Sequence, residues 1–329
     1  MVDRKRLISA IADEEKQFVA KHPVSFAASK LASKSLIGGV PMPWMKRWPG
    51  AFPISVQSAK GARFVDVDGI EYVDFCLGDT GSMTGHAVTE ITDAISRQLS
   101  RGSTVMLPSE DSTWVGAELT KRFGLAKWQF SVSATDANRF VLRLARHITK
   151  RPMVLVHDWC YHGTVDETLV IADDQGKTIS RHGAIGPQVH PSLTTRVVPF
   201  NDLAKLEQQL SFGDVACMLI EPALTNIGIV LPDPGYLSGV RDLTRKYGTL
   251  LIIDETHTIC AGSGGATKLW NLEPDMFVIG KTIGGGIPVA AYGLSAELAA
   301  RVELSLGSHD VDVSGLVARC QEVCWQWRQ

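Results

Sequence analysis

Leu250-Leu251-Ile252-Ile253-Asp254-Glu255 and Met276-Phe277-Val278-Ile279-Gly280-Lys281-Thr282-Ile283-Gly284-Gly285-Gly286 decide how this chain folds. Each begins as a short, wholly apolar run, which reads as a strand buried on both faces, and its first polar residues then emerge at a rim. Met153 to Val156 and Val215 to Ile220 repeat the pattern. Between the runs, Asn201 to Leu210 and Tyr236 to Tyr247 have helical spacing, the second stopped by Gly248. Strand alternating with helix predicts an α/β fold with a mostly parallel central sheet, whose ligands sit beyond the carboxyl ends of the strands. The first polar residues after three runs are Glu221, Asp254 and, one glycine later, Lys281. Two carboxylates and an amine are therefore expected at one rim.

Outside these runs, Arg63 to Phe75 partly alternates around Asp68-Gly69 and reads as a hairpin. The first twenty residues mix charges with apolar positions, as an amphipathic helix does and a secretory signal does not. Gly38 to Pro53, rich in Pro, Gly and Trp, reads as a linker that packs against something. With 45% hydrophobic and 21% charged residues, the 329-residue chain is that of a globular protein with one large core or two domains. A net charge of -2 offers no broad positive field, so neither nucleic acid nor an anionic membrane is expected as principal partner. No apolar run approaches the ~18 residues of a membrane span. Cysteines 76, 160, 217, 260, 320 and 324 show no C-x-x-C spacing and read as reduced thiols of a cytoplasmic protein.

Taken alone, Lys281 reads as a surface lysine before a glycine turn. Gly-Lys-Thr matches part of a phosphate-binding loop, but that motif needs a glycine where Asp275 stands. Asp254, 27 residues before Lys281, gives the lysine more meaning. A buried carboxylate is costly unless a cation or hydrogen bonds compensate it, and a protonated pyridine nitrogen is such a cation. A metal-binding or helix-capping Asp-Glu pair is the other reading. Ser133-Ala134-Thr135-Asp136-Ala137-Asn138 precedes a helical stretch from Arg139 to His147. Small residues and open amides at a helix start make an anion site, or simply a good N-cap; beside the lysine and the aspartate they read as a phosphate cradle. Tyr161 follows the run ending at Val156 and is either a ring-stacking aromatic or a core tyrosine. His157, Cys160 and His162 have no second ligand cluster and no orienting third group, so neither a metal site nor a Cys-His nucleophile is expected. A nicotinamide enzyme would need G-x-G-x-x-G after its first strand, which is missing.

The ordered motifs Asp66-Val67-Asp68-Gly69, Gly85-His86-Ala87, Tyr161-His162-Gly163, Glu221-Pro222, Asp254-Glu255, Gly280-Lys281 with its glycine triplet through Pro288, and Ala291-Tyr292-Gly293 run from Gly61 to about Glu303. Together they resemble the class III pyridoxal-phosphate aminotransferases, in the glutamate-1-semialdehyde aminomutase-like branch. The resemblance implies the PLP-dependent transferase fold type I, pyridoxal 5'-phosphate as cofactor, and a homodimer with active sites at the subunit interface. It also implies ping-pong amino transfer between an amino donor, which is an amino acid or amine, and a keto acceptor. Lys281 would carry the cofactor covalently and shuttle the proton, Asp254 would pair with the pyridine nitrogen, and Tyr161 would stack on the ring. Ser133, Ala134 and Thr135 would hold the phosphate, with Glu221 nearby.

The chain departs from the family pattern at Ala134 and Asp136 in the phosphate motif, at Thr256-His257 where valine commonly follows Asp-Glu, and at Asp79-Thr80 where an aromatic follows Gly78. Met42-Pro43-Trp44-Met45-Lys46-Arg47 replaces the aminomutase segment with the carboxylate-binding arginine, leaving Lys46 or Arg47 as candidates to meet a substrate carboxylate. These changes favour an amino-acid or amine transaminase over the aminomutase, which stays as the alternative. The expected organisation is an N-terminal helix and linker over 1–60, a cofactor-binding large domain over 61–305, and a divergent tail over 306–329. The tail stands in place of the family's small C-terminal domain, which is incomplete, as in a truncated or frameshifted product. An inactive cofactor-binding remnant, or a regulatory subunit pairing with a full-length homologue, is the rival to an active enzyme.

Overall fold

The computed structural model describes residues 3–103 and 107–307. The chain divides into two compact units, Met1–Gly78 with Thr84–Thr92, and Asp79–Met83 with Asp93–Gln329. The 308–329 part of the expected tail lies outside the described residues.

In the first unit, α1 (Arg4–Lys21) and α2 (Pro23–Ala32) precede a three-stranded antiparallel sheet of β1 (Val56–Lys60), β2 (Arg63–Asp66) and β3 (Glu71–Val73). The hairpin expected around Asp68-Gly69 is β2–β3, and Gly69 takes the positive φ of 82° that the turn requires. Asp68 also accepts from the amides of Val24 at 2.7 Å and Ser25 at 2.9 Å, so the turn caps the start of α2. The amphipathic helix forms as α1, with Leu7, Ile8 and Ile11 exposed. The stretch 38–53 makes two 3₁₀ turns, Ile37–Gly39 and Pro43–Arg47, and then packs on α1: Phe52 lies 5.0 Å from Phe18, ring to ring.

The second unit continues with α3 (Thr89–Leu99), whose first residues belong to the first unit, and then α4 (Glu110–Phe123), β4 (Lys127–Ser131), α5 (Ala134–Thr149) and β5 (Met153–His157). A small hairpin, β6 (Val170–Ala172) and β7 (Thr178–Ser180), leads to β8 (Thr195–Val198), α6 (Leu203–Leu210), β9 (Val215–Ile220) and α7 (Tyr236–Lys246). Then come β10 (Leu250–Asp254), α8 (Gly265–Leu269), β11 (Met276–Ile279), β12 (Ala290–Leu294) and α9 (Ala296–Gly307). The seven-stranded sheet runs β4-β12-β11-β10-β9-β5-β8. Its pairs are parallel except β11–β12 and β12–β4, so only β12 runs against the rest.

All four apolar runs are strands, and their period of two sorts their side chains between the sheet's faces. Val154, Val156, Cys217, Leu219 and Ile252 join Val141, Leu144 and Ala145 of α5 on one face. Leu155, Met218, Ile220, Leu251 and Ile253 meet Leu206 and Leu210 of α6 and Val240 of α7 on the other. Beyond β10, Phe277, Ile279 and Ala291 pack on Val115 and Leu119 of α4.

One boundary differs from the sequence reading. The helix read as Arg139 to His147 starts at Ala134, because the Ser133 hydroxyl caps it by accepting from the Asp136 amide at 3.2 Å. The small, polar residues read as preceding the helical stretch form its cap and first turn. Ile252 is fully buried in the central strand, and Ile252→Ala should lower the unfolding free energy by about 2–5 kcal/mol, read as a shifted urea midpoint. A change under about 0.5 kcal/mol would mean that β10 is not the centre of the core.

Candidate active site

Register places the polar residues. Ile253 of β10 pairs with Ile220 of β9, and Asp254 pairs with Val278 of β11, so Glu221, Asp254 and Lys281 leave the sheet at one level. The carboxyl end of β4 joins them, because Ser131 pairs with Ala290 of β12. There α5 begins, and the first amides of a helix have no intrahelical acceptor. A Cβ on Gly280 would stand 3.0 Å from the Ala134 Cβ, so glycine lets the Lys281 loop lie directly against this helix start. A cavity of about 270 Å³ opens among these ends. It is lined by Ser133, Ala134, Thr135, Tyr161, Glu221, Asp254 and Lys281, together with Asp79, His162, Thr256 and His257.

Asp254 is buried, with 4% of its surface exposed, and four donors surround its carboxylate. Oδ2 accepts from Asn138 Nδ2 at 2.9 Å and from His162 Nδ1 at 2.9 Å. Oδ1 accepts from the Thr256 amide at 3.0 Å and the Thr256 hydroxyl at 2.6 Å. Burial alone would raise the Asp254 pKa, yet the His162 bond and these donors hold it below the usual aspartate range. Burial alone would lower His162, but the Cys160 sulfur and above all the Asp254 carboxylate raise it well above its ordinary value. The charged carboxylate is the stronger cause, since a neutral thiol has little field to offer. The result is a buried ion pair at the floor of the cavity.

Glu221 behaves differently. Its Oε2 accepts from the Thr225 amide at 3.2 Å and hydroxyl at 2.5 Å, and Oε1 from the Tyr161 amide at 3.2 Å. Burial raises its pKa more than these bonds lower it, and the bonds tie Glu221 to the Tyr161 loop. The Tyr161 phenol is itself raised, by burial and by the Asp79 carboxylate, and stays protonated. Thr135 Oγ1 accepts from the Thr164 amide at 3.2 Å. A Cβ on Gly163, at φ 79°, would overlap that same hydroxyl, which makes glycine the residue that lets the two loops close.

Lys281 reaches into the cavity and donates to Asp79 Oδ2 at 2.7 Å and His257 Nε2 at 2.7 Å. Lys46 and Arg47, the substrate candidates, belong to the first unit, in the 3₁₀ turn Pro43–Arg47. The sequence reading did not assign Asn138 and His162 as the partners of Asp254. Asn138 precedes the stretch read as helix, and only its burial within α5 shows that its amide needs a hydrogen-bond partner. Among the described residues, no group of three or more His, Cys, Asp or Glu could hold a metal ion, and no helix is long and apolar enough to cross a membrane.

Comparison with known proteins gives a consistent picture. The family model for aminotransferase class-III matches residues 44–310. The glutamate-1-semialdehyde 2,1-aminomutase of Thermodesulfovibrio yellowstonii is 37% identical over 279 residues, which cover 83% of this chain and 65% of that protein. The chain thus spans less than two thirds of that relative's length. A crystal structure of a glutamate-1-semialdehyde-aminomutase from Pseudomonas aeruginosa PAO1 is 49% identical, with a TM-score of 0.90 over 93% of this chain and 67% of that one. A lysine-to-alanine variant described in the same terms, in complex with PMP, is 45% identical, with a TM-score of 0.94 over 99% of this chain and 74% of the other.

The ion pair sets a pH dependence. His162 gains proton affinity on folding, so its contribution is complete below the ordinary histidine value of about 6.5 and is lost as pH rises through the folded value. Asp254 loses proton affinity, so its contribution is complete above about 3.9 and is lost as pH falls through the folded value. His162→Gln should therefore cost most stability between about pH 4 and 6.5, with the difference from wild type shrinking in alkaline solution. Urea melts across pH read it, and a difference that grows toward alkaline pH would show the pair is wrongly assigned.

Proposed function

The chain belongs to the class-III aminotransferase family, and from that premise we propose that its cavity binds pyridoxal 5'-phosphate and transfers amino groups between an amino acid or amine and a keto acid. The single observation that carries this is a lysine amine facing the same cavity as an aspartate held ionised by a buried histidine.

The donor set fits the cofactor. An amine, a compensated anion, a helix start lined by Ser133, Ala134 and Thr135, and an aromatic at Tyr161 share one space. In this reading Lys281 holds the cofactor and later moves a proton at the substrate carbon, the amides at the start of α5 and the Thr135 hydroxyl bind its phosphate, and Tyr161 covers its ring. Asp254 pairs with the ring nitrogen. Among its present donors the Thr256 hydroxyl can redirect its proton by rotation of the O–H alone. When bound, pyridoxal phosphate supplies an electron sink for the carbon whose proton leaves. The chain's part is to keep the ring nitrogen protonated, through a carboxylate that His162, Asn138 and Thr256 prevent from taking the proton itself.

The large domain over 61–305 would then be the cofactor-binding part. We further infer a cytoplasmic homodimer, with Lys46 or Arg47 meeting the substrate carboxylate.

A second reading has support of its own, because the relatives described above are named for glutamate-1-semialdehyde 2,1-aminomutation. In that case the amino group moves within one molecule. The positions Asp79, Thr80, Thr256 and His257, where the sequence departs from the family pattern, favour transfer between two molecules.

Product analysis by NMR separates the readings. Glutamate-1-semialdehyde alone should be left largely unchanged, while a matched donor and acceptor pair should exchange the amino group, with Lys281→Ala reducing the rate by at least about 10³-fold. Turnover of the semialdehyde alone would favour the second reading, and no lysine-dependent turnover of any substrate would mean an inactive remnant. In the same assay, removing the charges of Lys46 and Arg47 should raise KM about tenfold for acids and leave simple amines unaffected. An unchanged KM for acids would remove these two residues from the site.

A further inference from the structure

Lys281 is gripped from two sides by residues at which the sequence departs from its family. Asp79 Oδ2 and His257 Nε2 each stand 2.7 Å from its Nζ. An ammonium beside a carboxylate already has its counter-charge, so the imidazole is not there for charge balance. With Nε2 accepting from the lysine, the ring proton sits on Nδ1 and faces Thr80 Oγ1 at 3.4 Å. The Thr80 hydroxyl donates in turn to the Asp79 carbonyl at 2.6 Å. Thr282 Oγ1 donates to the Thr80 carbonyl at 2.8 Å and ties this segment to the lysine loop.

The backbone supports a built arrangement. Asp79, Thr80 and Lys281 have φ values of 56°, 69° and 46°, in the left-handed region that non-glycine residues avoid. Such strain persists where the surroundings over-determine it, commonly at functional sites. The charged and titratable groups acting on His257 are Lys281, Asp79 and Asp254. Burial and the Lys281 charge hold the imidazole below its ordinary value against the two carboxylates, so it is an unprotonated base at neutral pH.

We propose that His257 is a second acid-base residue of this site, which takes the proton from Lys281 so that the lysine meets a carbonyl carbon or a substrate C–H as a free amine. The inference rests on the cofactor reading of Lys281. One Nζ–H bond breaks, one Nε2–H bond forms, Lys281 keeps the electron pair, and nothing is oxidised or reduced. The positive charge moves a single hydrogen-bond length and remains within the field of the Asp79 carboxylate.

The test is the rate at which apoprotein captures pyridoxal phosphate, followed by absorbance from about pH 6, near the ordinary histidine value, to about pH 9, nearer that of a lysine. Wild type is compared with Lys281→Ala, His257→Gln and His257→Ala, each first checked for a native circular dichroism spectrum and melt. Glutamine keeps a hydrogen-bond acceptor but cannot hold the proton, so it separates proton transfer from positioning. Lys281→Ala should abolish capture. Both His257 variants should capture at least about tenfold more slowly near neutral pH, with the deficit narrowing in alkaline solution and free imidazole restoring part of the rate in His257→Ala. A wild-type rate in His257→Gln overturns the proposal and leaves His257 a positioning residue. Capture that survives Lys281→Ala overturns the cofactor reading, and this proposal with it.

Discussion

A buried negative charge organises this molecule. Asp254 ends the central strand almost wholly buried at the floor of the cavity, and an isolated carboxylate there would take up a proton rather than stay charged. Three separate elements keep it ionised: Asn138 from α5, His162 from the loop after β5, and Thr256 from the turn that follows β10 itself. Each partner must be brought to the same rim, so the Asp254 cluster depends on the strand order, on the register and on the start of α5. Removing a partner leaves a charge or a dipole stranded, which costs more than the bond itself is worth.

The second constraint is at Lys281. Its loop leaves β11 through Gly280, which presses against the helix start at Ala134, and its amine is fixed by Asp79 and His257. The amine and the Asp254 carboxylate thus line one cavity without pairing with each other. A direct ion pair between Lys281 and Asp254 would satisfy both groups and close the site. Here each has its own partners, and the space between them stays available for a ring that needs an amine at one point and an anion at another.

Much of this was legible in the sequence. Four apolar runs flanked by polar residues gave four strands because a strand buried on both faces needs apolar residues at every position, and the rim residues Glu221, Asp254 and Lys281 follow from where the runs stop. Of the seven strands of the large sheet, β4, β8 and β12 escaped, β8 because Thr195-Arg196-Val197-Val198 is short and broken by a charge. Lys127–Ser131 carries the polar-apolar alternation of a strand but over only five positions, while Ala290–Leu294 contains glycine and small side chains and does not stand out from a loop. The start of α5 was misplaced because Ser133, Thr135, Asp136 and Asn138 have low helix propensity, while the cap and the burial of Asn138 decide the matter in three dimensions. The pairing of His162 with Asp254 spans 92 residues and has no local signature.

The most direct test is where the cofactor becomes attached. Borohydride reduction of the protein loaded with pyridoxal phosphate fixes the cofactor to the amine that carries it, and peptide mapping by mass spectrometry identifies that amine. The pocket geometry predicts one pyridoxyl group, on Lys281, with less of it retained in Asp254→Ala. A label spread over surface lysines, or absent from Lys281, would contradict the assignment of this cavity.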